Sequence, residues 1–379
     1  MNQVIDDTRN KFRDNLEKLL AGSGICFNGD NPWDIRVYNP ALYERILTQG
    51  SIGLGEAYMD KWWDCPRLDA LFCKLCSHDM EHKLVIIAET VMNKIRSFIS
   101  NHQSKQLAPE HIKWHYDIGN DLYNAMLDKS LTYSCGYWQN ATNLQQAQEH
   151  KFALICRKLN LQQGQKILDL GCGWGGFMRY AADHYGVQCV GITLSKEQLA
   201  LGQQLSKGKA IAIYLMDYRE LTERFDHIVS VGMFEHVGHK NYATYMQLAQ
   251  RCLHDNGLFL LHTIGSKRTV TTVDGWMGKY IFPGGVLPSI KQIAKEAEGR
   301  FVIEDLHNFG ADYDKTLMAW YENFNTNWQR IAANYDERFY LMWKYYLLCC
   351  AGAFRARDNQ LWQIVLSKNG VMGGYQSVR

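Results

Sequence analysis

The sequence predicts an α/β protein, a mostly parallel sheet covered on both faces by helices, with a smaller helical unit ahead of it. Three observations predict this. From about residue 110 onward, short apolar runs of strand character alternate with helical patterns, as a sheet built from βαβ units requires. The run Lys166 to Leu170 leads at once into Gly171, Gly173, Gly175 and Gly176, a turn lacking Cβ atoms that lets backbone approach a ligand at the start of a helix. The first 80 or so residues carry helical patterns broken by turns, without that alternation.

The elements follow in order. Turns at Asn28-Gly29-Asp30-Asn31-Pro32 and Asn39-Pro40 divide the N-terminal unit, residues 1–80. The stretch from Gly50 to Met59 is glycine-rich and then helical, ending near Trp62 and Trp63. Residues 81–109 are helical and then polar before Pro109, and read as a linker. In the third unit, 110–379, strands are expected over 165–170, 188–193, 210–215, 226–232 and 257–263. Helices are expected over 176–184, 196–205 and 242–252, after which Asp255-Asn256-Gly257 turns back into a strand. Residues 301–307 and 361–367 are expected to form a terminal antiparallel pair, with long helices over 314–330 and 336–356 between them.

Composition bounds the function. A chain of 379 residues, 46% apolar, can bury a large core. Its 41 basic and 39 acidic residues, net +2, disfavour charge-driven nucleic-acid binding but leave room for a basic patch against an anionic membrane. The 21 Tyr and 11 Trp suit an apolar substrate pocket, an interfacial face or a well-filled core. Eleven scattered cysteines and a polar N-terminus point to a reducing cytoplasm. Cys73 and Cys76, like Cys349 and Cys350, lack a second ligand pair, so no metal is expected. Apolar stretches such as 84–88 are too short to span a bilayer, and membrane contact is expected to be peripheral.

The glycine turn narrows the ligand. No Lys-Ser or Lys-Thr follows it, which argues against a phosphate-gripping loop. Asp169 precedes the first glycine and suits a cationic amino-acid ligand better than a pyrophosphate. Strand-Asp-x-Gly-x-Gly resembles the pattern of S-adenosylmethionine (SAM) methyltransferases, with Asp169, Gly171 and Gly173 at the cofactor. No acid ends the second strand; Thr193 and Gln198 offer a hydroxyl and an amide, while Ser195 and Gln198 also read as a capping box. After the third strand, Asp217 and Tyr218 stand where an adenine amine and ring would lie, or else are a turn acid beside a surface tyrosine. Two aromatic segments, 114–120 and the one holding Tyr133 and Ser134, can fold over the cofactor and exclude water.

Five islands then stand in order: Tyr133-Ser134-Cys135, the Asp169 to Gly176 turn, Gly232-Met233-Phe234-Glu235-His236-Val237-Gly238, His262-Thr263-Ile264-Gly265-Ser266 and Phe309-Gly310-Ala311-Asp312-Tyr313. Together they resemble the cyclopropane-fatty-acyl-phospholipid synthase family, related to the mycolic acid cyclopropane synthases, over nearly the whole chain. The resemblance implies a Rossmann-like class I SAM methyltransferase fold with a smaller N-terminal helical domain. It implies that SAM methylates one carbon of a cis double bond in an acyl chain of a membrane phospholipid, and that loss of a proton from that methyl closes a three-membered ring. It also implies a bound bicarbonate as proton acceptor, caged by Cys135, Glu235, His262 and Tyr313 with the backbone of Ile264. A homodimer is implied, in the cytoplasm and peripherally associated with the inner face of the membrane.

The chemistry explains such a cage. An isolated alkene is a weak nucleophile, so alignment with the sulfonium methyl and exclusion of water must supply rate. The carbocation formed can be stabilised by aromatic faces or an anion. A small bound anion can take the proton without competing for the methyl as a carboxylate or thiolate would. Each cage residue also has a plain structural role open to it: a small buried Cys, a Glu at a helix start, a core His and a packing Tyr. A methyltransferase that stops at methyl transfer, on an unsaturated lipid or a small amine, would not need the cage, and neither would a lipid-binding scaffold. Trp62, Trp63, Lys61, Arg67 and Lys74 are candidates for a bilayer contact, with a surface-aromatic core or a dimer interface as equal alternatives.

Overall fold

The structure, a computed structural model, describes residues 2–78 and 119–379, with side chains from residue 11 onward. The expected linker, and residues 114–118 of the expected cover, lie outside the described residues.

Seven strands form one sheet in the order β5-β4-β3-β6-β7-β9-β8. They are β3 (Lys166–Leu170), β4 (Gln188–Thr193), β5 (Ile211–Leu215), β6 (Phe225–Val231), β7 (Leu253–Ser266), β8 (Val302–Asn308) and β9 (Asn359–Ser367). Strands β3 to β7 run parallel, while β9 lies antiparallel between β7 and β8. Parallel neighbours need long crossovers, and α6 (Gly176–Tyr185), α7 (Lys196–Leu205) and α8 (Tyr242–Cys252) supply three of them. The strands show period-two burial into two cores. Leu168, Leu170, Ile228, Phe259 and Leu261 pack with Tyr245 and Met246 of α8. Their alternates Ile167, Val229, Leu258 and Leu260 pack with Phe177 and Met178 of α6 and with Phe152 and Ile155 of α5 (Leu144–Lys158).

The Asp255-Asn256-Gly257 signal was expected to end a turn before a strand, and the structure places it inside β7. Leu253 pairs with Phe225 and Leu258 with His227, so the extra residues form a bulge. A Cβ on Gly257 would lie 2.3 Å from the Asp226 carbonyl, which explains the glycine. The same turn chemistry serves a bulge when partner strands flank it.

The N-terminal segment forms α1 (Asn2–Leu20), α2 (Leu42–Met59) and α3 (Leu68–Ser77), with a two-residue antiparallel pair, β1 (Arg36–Val37) and β2 (Trp63–Asp64). Gly50 (φ 58, ψ −133) kinks α2 where the glycine-rich stretch was read as leading into a helix. These helices share one continuous core with α4 (Asn120–Met126), α11 (Ala311–Ile331) and α12 (Glu337–Arg355). Tyr345 of α12 meets Tyr58 at 5.5 Å and Phe72 at 5.2 Å between ring centroids. Arg355 joins Asp69 (2.6 Å) to Asp314 (2.8 Å). Of the roles open to Trp63, the structure selects the core and not a membrane or partner face: it is 1% exposed and its indole donates to the Leu54 carbonyl at 3.0 Å. Among the described residues no helix is long and apolar enough to cross a membrane.

A short helix, α9 (Gly275–Tyr280), docks on α2 and ties it to the sheet. Glu56 of α2 accepts from Lys279 (2.5 Å), Tyr280 (2.8 Å) and Arg45 (2.8 Å). The buried Trp276 lies against Gly55, where a Cβ would come within 2.4 Å of the indole. Gly55→Ala must therefore displace a fully packed ring, at about 1–3 kcal/mol. Thermal unfolding is expected to show Tm lower by several degrees, and an unchanged Tm would contradict this packing.

Candidate active site

The order in which strands are added reverses at β3, with β4 and β5 laid down on one side and β6 and β7 on the other. In open α/β sheets a ligand crevice lies at that switch point, outside the carboxyl ends of the strands. A cavity is found there, and every residue expected at the cofactor lines it: Tyr133, Ser134, Asp169, Gly171, Gly173, Thr193, Gln198, Asp217 and Tyr218. Gly171, Gly173 and Gly175 have φ of 82°, 55° and 77°, a left-handed path that glycine takes freely. A Cβ on Gly176 would sit 2.7 Å from the Ser130 carbonyl, so the segment carrying Tyr133 and Ser134 runs directly over the start of α6.

The cofactor candidates have partners that sharpen their roles. Thr193 donates its hydroxyl to Gln198 Oε1 at 2.7 Å and accepts from the Ser195 N–H at 3.1 Å. Thr193 thus orients Gln198 and presents its amide nitrogen as the donor. Ser195 caps α7, accepting from the Gln198 N–H at 3.2 Å. Asp217 is held in a two-pronged pair by Arg219, at 2.7 and 2.6 Å. Tyr218 is buried, against the reading of a surface tyrosine, and its ring packs on Tyr245 at 5.3 Å. The Tyr133 hydroxyl meets that of Tyr346 at 2.7 Å, and its ring lies 5.0 Å from Trp320.

The five residues expected in the cage do not line this cavity; Cys135 follows its Ser134 and Glu235 precedes its His236 in the chain. Glu235 follows β6, and its Oε1 accepts from the Ile264 N–H at 2.6 Å. His262 lies two residues earlier on β7, opposite Gln363 of β9, whose amide donates to His262 Nδ1 at 3.2 Å. The His262 ring meets Phe309 at 5.8 Å, just ahead of α11, which carries Tyr313 and Thr316. Thr316 Oγ1 accepts from the Gly136 N–H at 3.1 Å and lies 3.9 Å from the Cys135 sulfur. Tyr313 packs on Phe354 at 4.5 Å and Trp320 at 5.9 Å. Two polar atoms of this group are buried without a hydrogen-bond partner, Glu235 Oε2 and His262 Nε2.

Burial governs the electrostatics. It pushes the Glu235 carboxyl up to about 7, against smaller pulls from the Ile264 N–H and the Thr263 hydroxyl. It drives the His262 ring well below its ordinary value, and the positive charges of Lys151 and Lys158 add to the effect. A neutral His262 that accepts at Nδ1 carries its proton on Nε2. Burial likewise raises the Cys135 thiol, aided by Asp312, so it stays protonated. Asp169 is lifted to about 7 by burial, opposed by Lys151.

Sequence reading missed Lys151 and Phe152, which line the cavity, and Gln363 and Thr316, which orient cage residues; Trp174, Met233 and His236, also in the cavity wall, lay within the expected islands without a role of their own. Glu235 and His236 were within one quoted island, yet only the fold distinguishes which of them faces Ile264. A buried lysine in α5 carries no local signal beyond its place on an otherwise apolar face.

Comparison with known proteins gives a consistent result. The family model described as mycolic acid cyclopropane synthetase matches residues 103–364. Cyclopropane-fatty-acyl-phospholipid synthase of Escherichia coli (strain K12) is 53% identical over 362 residues, 96% of this chain and 94% of that protein. The structure of a cyclopropane synthase from Mycobacterium tuberculosis is similar at a TM-score of 0.65 and 32% identity, covering 69% of this chain and 98% of that one. A mycolic acid cyclopropane synthase complexed with SAH and CTAB is similar at a TM-score of 0.64 and 34% identity, again covering 69% and 98%.

Glu235 supplies a test of the burial argument. Its folded pKa lies above its ordinary 4.5, so the native state loses stability as pH rises from there through about 7, where the buried group must ionise. Glu235→Gln keeps the acceptor for Ile264 and removes the titration. Its Tm relative to the parent chain is expected to rise by several degrees between pH 5 and pH 8; a constant difference would contradict a proton-binding Glu235.

Proposed function

We propose that this chain, which belongs to the mycolic acid cyclopropane synthetase family, adds a methylene carbon from SAM across a cis double bond of a phospholipid acyl chain, using a proton acceptor held by Glu235 and His262. It is a SAM-dependent enzyme that forms cyclopropane rings on unsaturated lipid. The observation that carries the proton-removal step is the pair of buried, unpartnered atoms, Glu235 Oε2 and His262 Nε2, on residues related through Ile264, whose N–H donates to Glu235 and which His262 precedes by two positions on β7.

The cavity holds the sulfonium donor and the aromatic wall holds the alkene in line with its methyl. The double bond attacks that methyl, the C–S electrons return to sulfur, and positive charge is left on the acyl chain. Tyr133, Tyr313 and Trp320, whose rings pack on one another, offer faces to such a cation. A proton then leaves the transferred methyl, and its C–H electrons close the ring.

The residues fit a small oxyanion as acceptor of that proton. His262 Nε2–H donates and a protonated Glu235 donates through Oε2, while Cys135, whose thiol faces the Gly136 carbonyl at 3.2 Å, and Tyr313 complete the proposed cage. Bicarbonate bound there supplies a base that is a poor methyl acceptor. Burial that keeps Glu235 partly protonated near pH 7 lessens the like-charge repulsion that a fully ionised carboxylate would impose. Plain methylation would leave these two buried atoms without a purpose.

We further propose that residues 1–80 form an N-terminal unit, 81–109 a linker and 110–379 the catalytic unit. The enzyme acts as a homodimer at the inner, cytoplasmic face of the membrane, in contact with the bilayer and not with nucleic acid. Lys61 and the partly exposed Trp62 are the better candidates for that contact now that Trp63 is assigned to the core.

Incubation with methyl-labelled SAM and vesicles of cis-unsaturated phospholipid separates the readings. Gain of one CH₂ with loss of the double bond is expected; a retained alkene would favour plain methylation, and no transfer would favour a scaffold. Glu235→Ala and His262→Ala are each expected to lower ring formation roughly 10²-fold or more while SAM still binds. Full activity in both would remove the proposed acceptor site.

A further inference from the structure

We infer that Lys151 anchors the α-carboxylate of SAM, so that the amino-acid end of the cofactor is held as a zwitterion between Asp169 and Lys151. The inference deepens, and rests on, the reading of the cavity as the SAM site.

Two cations of this wall behave differently. Arg219 is already neutralised by its two-pronged pair with Asp217, at the end proposed for adenine. Lys151 lines the opposite end with Ser134 and Asp169 and is 0% exposed. Its ammonium donates to two neutral acceptors, Ser134 Oγ at 2.8 Å and Gln148 Oε1 at 2.6 Å. An ammonium has three protons, so one donor remains. Among the described residues no carboxylate lies within ion-pair distance of it. The other fully buried lysine, Lys158, shows the usual arrangement, with Asp305 at 3.5 Å.

A buried cation without an anion in contact is a costly arrangement unless a ligand completes it. SAM carries a single anionic group, its α-carboxylate, two bonds from the α-ammonium. Asp169, at the carboxyl end of β3, is the acid for that ammonium; the field at Lys151 comes most strongly from Asp128, with smaller contributions from Cys135 and Asp169. Burial draws Lys151 down to about 7 and lifts Asp169 to about 7, so each is held short of full charge until an ion of opposite sign arrives. A zwitterion satisfies both at once. The Ser134 hydroxyl, accepting from Lys151, has its own proton to donate to the same carboxylate. Its neighbour Gln148 also donates to the Ser134 carbonyl at 2.8 Å, which fixes the covering segment to α5.

The test compares two ligands on the full chain by calorimetry: SAM, and decarboxylated SAM, which keeps the sulfonium and the ammonium but lacks the carboxylate. The parent chain is expected to prefer SAM by about 10–100-fold. In Lys151→Met that preference collapses toward unity, because SAM weakens and the decarboxylated ligand does not. Lys151→Gln serves the same comparison if the Met variant does not fold. Equal weakening of both ligands, or a preference that survives, would overturn the inference by making Lys151 a structural residue only. Absence of SAM binding by the parent chain would instead overturn the cofactor reading, and the inference with it.

Discussion

Exclusion of water from a handful of ionisable side chains is the constraint on which the site depends. Asp169, Lys151, Glu235, His262 and Cys135 are all buried, and for each the desolvation of the charged form is the largest influence on its proton affinity. In bulk water Glu235 would be ionised and unable to donate, and His262 would titrate near neutrality. Removed from water, His262 stays neutral and Glu235 keeps its proton to a higher pH. A sulfonium that must find a weak alkene nucleophile needs the same dryness, since water is a competing partner for the carbocation. One physical condition therefore serves cofactor binding, methyl transfer and proton removal.

The fold creates that condition by layering. The sheet supplies the floor, with the glycine turn after β3 and Glu235 after β6 flanking the switch point. The segment around Tyr133 to Trp138 forms the cover and is stitched at both ends. Gln148 and Lys151 bond to Ser134 from α5, while Thr316 and Asp312 of α11 bond to the backbone of Gly136 and Trp138. The N-terminal helices stand behind this, and α9 carries their hold inward: the Val286 N–H, a few residues beyond it, donates to the Glu235 carbonyl at 3.0 Å. Phe282, in the same stretch, packs on His236 at 5.9 Å and Tyr346 at 5.7 Å.

What was legible in the sequence was whatever depends on near neighbours. Apolar runs of period two marked the strands, and Ser195 with Gln198 marked a helix start. The four glycines and Asp169 marked the crevice, because close approach and left-handed backbone leave few alternatives. Cys135, Glu235, His262 and Tyr313 were reached through family resemblance, since each residue type has an ordinary structural use. Gln363, Thr316 and Lys151 were not legible, because the groups they serve lie across the sheet or far along the chain; Thr316 meets residues about 180 positions away. Trp63 was not legible because a tryptophan beside basic residues looks the same whether it faces solvent or core. The Asp255 to Gly257 signal misled because turns and bulges call for the same residues.

The isotope content of the new ring tests the central claim most directly. With SAM carrying a fully deuterated methyl, in ordinary water, a dry site that removes one proton from the transferred carbon must leave two deuterium atoms on the ring methylene. Mass spectrometry of the phospholipid product is expected to show two, with no exchange from solvent. One or none would mean that water reaches the transferred carbon before closure, and three on an uncyclised chain would mean that proton removal does not follow methyl transfer.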